Sequence, residues 1–311
     1  MKKRSCLGLI GRTALFYLAC VTACLPVEAQ REVRFRLLYD TVVVVSIEIN
    51  DQGPFEFILD TGTDTTILDV GLASRLSLVP IDVMTLTTVS GKRTLVRSSV
   101  RKLALGAVAV PDLEVLLQDM AELRRLNAHI CGIVGQNFLS HFNYALDYGR
   151  RSVRIELGSE LRESLSGERV QIEMSEGKML VPAELHSFGR TKVRLLLDSG
   201  ANALILFRKV VQVRPAALGA SLFGADSHDN ASGIRMGQVD ALTVGSRQFR
   251  DLTVAFAPAA AGNTLRLEDG LLPTALFRVL YINNRERFVM LNPTILAAHS
   301  RPVQPARRKS S

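Results

Sequence analysis

Two copies of one pattern, kept at an almost constant separation, restrict this chain to a fold built twice. Asp60-Thr61-Gly62 recurs as Asp198-Ser199-Gly200, 138 residues later. Gly132, within Cys131-Gly132-Ile133-Val134-Gly135, recurs at the same interval as Gly270, within Asp269-Gly270-Leu271-Leu272-Pro273. Between these anchors Leu105-Gly106 matches Val244-Gly245 at a shift of 139. Asp112-Leu113-Glu114-Val115 matches Asp251-Leu252-Thr253-Val254 at that same shift. Four anchors in fixed order with so little drift mark one structural unit used twice.

Patterning inside each unit is strand-like. Val33, Phe35 and Leu37 alternate with charged residues, and Val170, Ile172 and Met174 with polar ones. Val42–Ile49 is β-branched and apolar, and Leu103–Val110 and Val239–Val244 also favour strands, with Gly106 and Gly245 at turns. Helical signals are short: Val70–Leu76, Met120–Leu126 and Gln136–His141. Residues 158–167 carry no core-forming run and read as a connection. The sequence therefore predicts a mainly-β protein of two homologous lobes, residues 30–157 and 168–297.

The ends of the chain read differently. Lys2, Lys3 and Arg4, an apolar Thr13–Leu25, Pro26 and small residues near Ala29 make residues 1–29 an export signal. The expected location is periplasmic or secreted. Val21-Thr22-Ala23-Cys24 also fits a lipoprotein cleavage box, and membrane attachment is expected only if Cys24 is lipidated. Removing residues 1–29 lowers the net charge from +8 to +5, of which the tail 298–311 supplies +4. The body is then almost neutral, which argues against a nucleic-acid partner. Once the leader is gone, Cys131 is the one cysteine, so no intrachain disulfide forms; it reads as a small core residue. The five histidines show no spacing suited to a metal site or a nucleophilic triad, and no metal or organic cofactor is expected.

A single Asp-Thr-Gly is an ordinary turn. Duplicated, each copy behind an apolar run (Phe57-Ile58-Leu59 and Leu195-Leu196-Leu197), the triplets hold two carboxylates at the mouths of two tight turns. Two such groups about 3 Å apart cannot both ionise cheaply, so they share a proton. The ionised member can then take a proton from water while the protonated one polarises a carbonyl. Asp60 and Asp198 are the expected catalytic pair, titrating as a unit. Gly62 and Gly200 allow close approach of the turns, and the Thr61 and Ser199 hydroxyls are placed to cross-link the lobes. Thr63 can donate to Asp60, whereas its counterpart Ala201 cannot, which predicts a dyad whose Asp60 ionises more easily.

The sequence resembles bacterial retropepsin-like aspartyl proteases with two lobes in one chain. The resemblance rests on Phe57–Thr63, Leu196–Ala201, Gly132–Leu139 and Asp269–Pro273, and it spans about residues 42–291. It implies the acid-protease (pepsin/retropepsin-like) β-barrel fold with a cleft between the lobes, and an aspartic endopeptidase acting on a peptide or protein substrate as a monomer. It also implies flaps, near Ser90 and Gly91 in the first lobe and near Ser232 and Gly233 in the second. Departures are Cys131 where the family has Asp, Pro273 where a glycine closes the segment, and flaps without a tyrosine. The alternative is a catalytically inactive peptide-binding protein on the same scaffold.

Overall fold

Strand Val42–Ile49 shows how the pattern becomes structure: every side chain is buried except Ser46 and Glu48. The computed structural model describes residues 32–88, 91–156, 160–207, 214–215, 235–257 and 267–295. The leader, the tail from residue 298, Ser90, Ser232 and Gly233 lie outside them.

Each lobe is an eight-stranded sheet. The first runs, in spatial order, Arg36–Leu38, Val42–Ile49, Gln52–Leu59, Ile130–Val134, Ile67–Asp69, Val108–Gln118, Gly91–Leu105 and Asp82–Thr88. A further pairing of Glu48 with Ala104 and Ile49 with Leu103 curls it toward a barrel. The second repeats that order with Glu173–Ser175, Lys178–His186, Arg190–Asp198, Gly270–Pro273, Leu204–Leu206, Arg247–Phe256, Arg235–Val244 and Arg214–Pro215. Its extra contact, Lys178–His186 with Arg235–Val244, curls it the same way. The protein is mainly β and has the acid-protease β fold in two homologous lobes.

The duplication is visible in the register. Leu59 lies opposite Val134 and Leu197 opposite Leu272; Ile67 lies opposite Ile133 and Ile205 opposite Leu271. Gly106 and Gly245 turn equivalent hairpins at φ +57° and +55°, a region that disfavours side chains. A Cβ on them would lie 2.6 Å from Val33 and 2.7 Å from Val170, again equivalent residues.

A third sheet joins the lobes. Its order is Glu32–Arg34, Ser152–Glu156, Asn143–Asp147, Val279–Asn283, Phe288–Leu291, Arg169–Gln171, three strands from each half. At the seam Ala145 pairs with Tyr281. The two turns beside it match as well: Arg150 N donates to Asp147 Oδ1, and Glu286 N donates to Asn283 Oδ1. A continuous apolar core runs from Phe35 through Leu59 and Leu197 to Leu291.

Helices are brief, and slightly shorter than the pattern predicts: Val70–Arg75, Ala121–Leu126 and Gln136–Leu139. Asp69 caps the first through Gly71 N at 2.9 Å and also meets Arg124, the capping role its position suggests. The connection differs from its sequence reading. Glu160–Glu163 is helical, and Leu165 is 5% exposed in a cluster with Ala145, Tyr281, Phe288 and Met290. Two isolated leucines give no periodic signal, yet Leu165–Ser166 pairs with Thr294–Ile295 and folds them onto the joining sheet.

Candidate active site

Each triplet stands at the buried end of a strand. Phe57, Ile58 and Leu59 are at most 2% exposed and run parallel to Ile130–Val134. Such strands, covered on both faces, read as continuous apolar runs. Asp60 N donates to Val134 O at 3.0 Å, and the chain then turns so that Gly62 N donates to Asp60 Oδ1 at 2.8 Å. The second lobe copies the turn, with Gly200 N donating to Asp198 Oδ1 at 2.8 Å.

The turns meet face to face, and each glycine backs the opposite carboxyl. A Cβ on Gly62 would lie 2.7 Å from Asp198 Cγ, and one on Gly200 would lie 2.8 Å from Asp60 Cγ. No side chain other than hydrogen fits either place. Four hydrogen bonds tie the turns across the lobes. Thr61 N donates to Ser199 Oγ at 3.0 Å, and Ser199 N donates to Thr61 Oγ1 at 3.0 Å. The hydroxyls in turn donate across, Thr61 to Leu197 O at 2.9 Å and Ser199 to Leu59 O at 2.7 Å. All of this is buried, with Thr61 and Ser199 at most 1% exposed.

The carboxyls themselves sit in unequal surroundings. Thr63 Oγ1 donates to Asp60 Oδ2 at 2.7 Å, and Ala201 offers a methyl group in the same place. Asp198 is 7% exposed. Burial, then the charge of Asp60 and a hydrogen bond with it, hold the Asp198 carboxyl well above the usual carboxylate range. The Gly200 and Ala201 N–H groups act against that rise.

Asp64, four residues past Asp60, lies where the two lobes meet. A Cβ on Gly177 of the second lobe would be 3.6 Å from it, and its Oδ1 is buried without a hydrogen-bond partner among the described residues. Burial pushes its carboxyl up to about 6; Lys178 opposes this, and Glu268, Glu176 and Asp60 add to it. Nothing in a polar run Thr63-Asp64-Thr65-Thr66 distinguishes a buried acid from an exposed one.

Behind the first turn lies a polar clasp that sequence reading passed over. Gln136 Nε2 donates to Thr61 O at 2.9 Å, and Gln136 N donates to Thr63 O at 2.8 Å. Asn137 Oδ1 accepts from both Thr66 N, at 2.9 Å, and Thr66 Oγ1, at 2.8 Å. Gly135 N donates to that same hydroxyl at 3.2 Å. Pro273, the counterpart of Gly135, lies in register with Asp198 and has no N–H to give. Cys131 is partly buried at the margin of the core, donating to His129 O at 3.3 Å.

For the first flap position, Asp82–Thr88 and Gly91–Leu105 form a hairpin in which Thr88 lies opposite Gly91. Among the described residues no group of three or more His, Cys, Asp or Glu is arranged to hold a metal ion.

A comparison with curated proteins gave no match. Residues 45–138, which hold the first triplet and the segment Gly132–Phe138, match the family model described as aspartyl protease.

Proposed function

We propose that the chain is an aspartic endopeptidase and that Asp60 and Asp198 are its catalytic pair. The observation that carries this reading is reciprocal seating: each carboxyl lies against the glycine of the other turn, and the hydroxyls of Thr61 and Ser199 fix the two turns to each other. With one proton between the two carboxyls, the ionised member takes a proton from a water as its oxygen attacks the peptide carbonyl. The protonated member gives its proton to that carbonyl oxygen. Collapse of the tetrahedral species returns the proton taken from water to the departing amine, and the pair regains its shared proton. Thr63 donates to the Asp60 carboxyl, and burial favours the proton on Asp198. Both halves lie in one chain, which supports a catalytically complete monomer.

We further propose export through removal of residues 1–29, to a periplasmic or secreted location, with anchoring through Cys24 as the other processing route; the intact mass of the mature chain distinguishes them. The peptidase is tested with the purified mature chain on a mixed peptide library, beside Asp60→Asn and Asp198→Asn. Cleavage abolished by either substitution is expected. Binding without cleavage over a broad pH range would overturn catalysis and leave a peptide-binding protein.

A further inference from the structure

The clasp behind the first turn has no sequence counterpart behind the second. Thr66 is matched by Leu204, Asn137 by Ala275, Gln136 by Thr274 and Gly135 by Pro273, at the interval fixed by the strand register. The amide and hydroxyl side chains that hold the first turn are replaced by apolar or shorter ones. One polar atom survives there, Thr274 Oγ1, in a residue that is 0% exposed. Its partner comes from the other lobe: the Tyr148 hydroxyl lies 2.6 Å away.

Tyr148 is itself held firmly. Its N–H donates to Arg278 O in the second lobe at 2.9 Å. Phe35 meets its ring edge-on, with centroids 5.8 Å apart. Burial keeps its hydroxyl un-ionised, so it remains a neutral hydrogen-bonding group. Thr274 follows Pro273 directly, and Pro273 is the register partner of Asp198. A first-lobe side chain thus steadies the segment on which the second aspartate rests.

We propose that Tyr148 is a positioning residue for Asp198, acting through Thr274 in place of the clasp that the second lobe lacks. The chemical role of Asp198 rests on the peptidase reading; the positioning does not. Loosening this segment lets the Asp198 carboxyl gain water and draw away from Asp60, so the two apparent pKa values of the pair move together.

The test uses the mature chain with Tyr148→Phe, Thr274→Val, Thr274→Ser and the Tyr148→Phe/Thr274→Val double variant. Carboxyl titration by carbon-13 NMR of aspartate-labelled protein needs no substrate. The two midpoints of the pair should close by about half a unit in Tyr148→Phe and Thr274→Val, the effect of a hydrogen bond of ordinary net strength. Thr274→Ser should retain the wild-type titration, and the double variant should be no worse than either single one. Peptide cleavage should lose about fivefold in kcat with KM unchanged. An unchanged titration in folded Tyr148→Phe would overturn the proposal, as would additive effects in the double variant. If Tyr148→Phe does not fold, the Thr274→Val and Thr274→Ser pair makes the same comparison. Wild-type protein without cleavage sensitive to Asp60→Asn would sink the peptidase reading alone, because the titration still decides the role of Tyr148.

Discussion

Ser199→Ala removes one oxygen from the contact between the two turns. That oxygen accepts from Thr61 N at 3.0 Å and donates to Leu59 O at 2.7 Å. Thr61 and Leu59 are both 0% exposed, so neither orphaned group can turn to water. Each buried group left without a partner costs about 1–3 kcal/mol, giving about 2–6 kcal/mol for the pair. A protein has only about 5–15 kcal/mol in hand, so the loss is a large fraction of it. At about 2–4 °C per kcal/mol for a chain of this size, the melting temperature should fall by about 4–24 °C. Scanning calorimetry of the mature chain measures this directly. Thr61→Val removes the matching pair of bonds, to Leu197 O and from Ser199 N. Because both hydroxyls serve one contact, the double variant should lose less than the sum of the two by at least about 0.5 kcal/mol. A fall below about 2 °C for Ser199→Ala, or strict additivity with Thr61→Val, would refute the idea that these bonds join the lobes.

Two further outcomes follow from buried sites. Asp64 has its carboxyl raised by burial, so its contribution to stability is full below the unfolded value of 3.8 and is lost as pH rises through about 6; urea titrations at pH 4.5 and 7.5 should show this loss in wild type and less of it in Asp64→Asn, a residue already present at the matching Asn202. Gly132→Ala would place a methyl 2.2 Å from Phe57 Cε1 and 2.4 Å from Ile67 O, so the variant should lose about 3 kcal/mol or more, read as a lower urea midpoint.

Local features were the legible ones. Val42–Ile49 is readable because its β-branched side chains and alternation act within one strand. The turns at Gly106 and Gly245 declare themselves by a single residue type. The difference between Thr63 and Ala201 is likewise visible, because a hydroxyl three residues from Asp60 reaches it within one turn. Features that depend on distant partners left no such trace. Asp64 looks like any polar loop residue until the Glu176-Gly177-Lys178 turn covers it. Tyr148 reads as one more aromatic near a strand end, and only the joining sheet brings it to Thr274, 126 residues away. The same sheet recruits Leu161 and Leu165, whose spacing matches neither a strand nor a helix of useful length.

The joining sheet also bears on what a half-chain would do. Its seam strand Asn143–Asp147 is flanked on one side by its own lobe and on the other by Val279–Asn283. Cut away the second lobe and that strand becomes an open edge with buried, apolar side chains, a ready template for another chain. The register at the seam centres on Ala145, so two first lobes can meet there with alanine facing alanine. Two second lobes meeting the same way must oppose Tyr281 to Tyr281, two bulky side chains in the space that now holds one. The first half is therefore the self-compatible one, and a split protein should recover a two-fold assembly from copies of its N-terminal piece more readily than from its C-terminal piece.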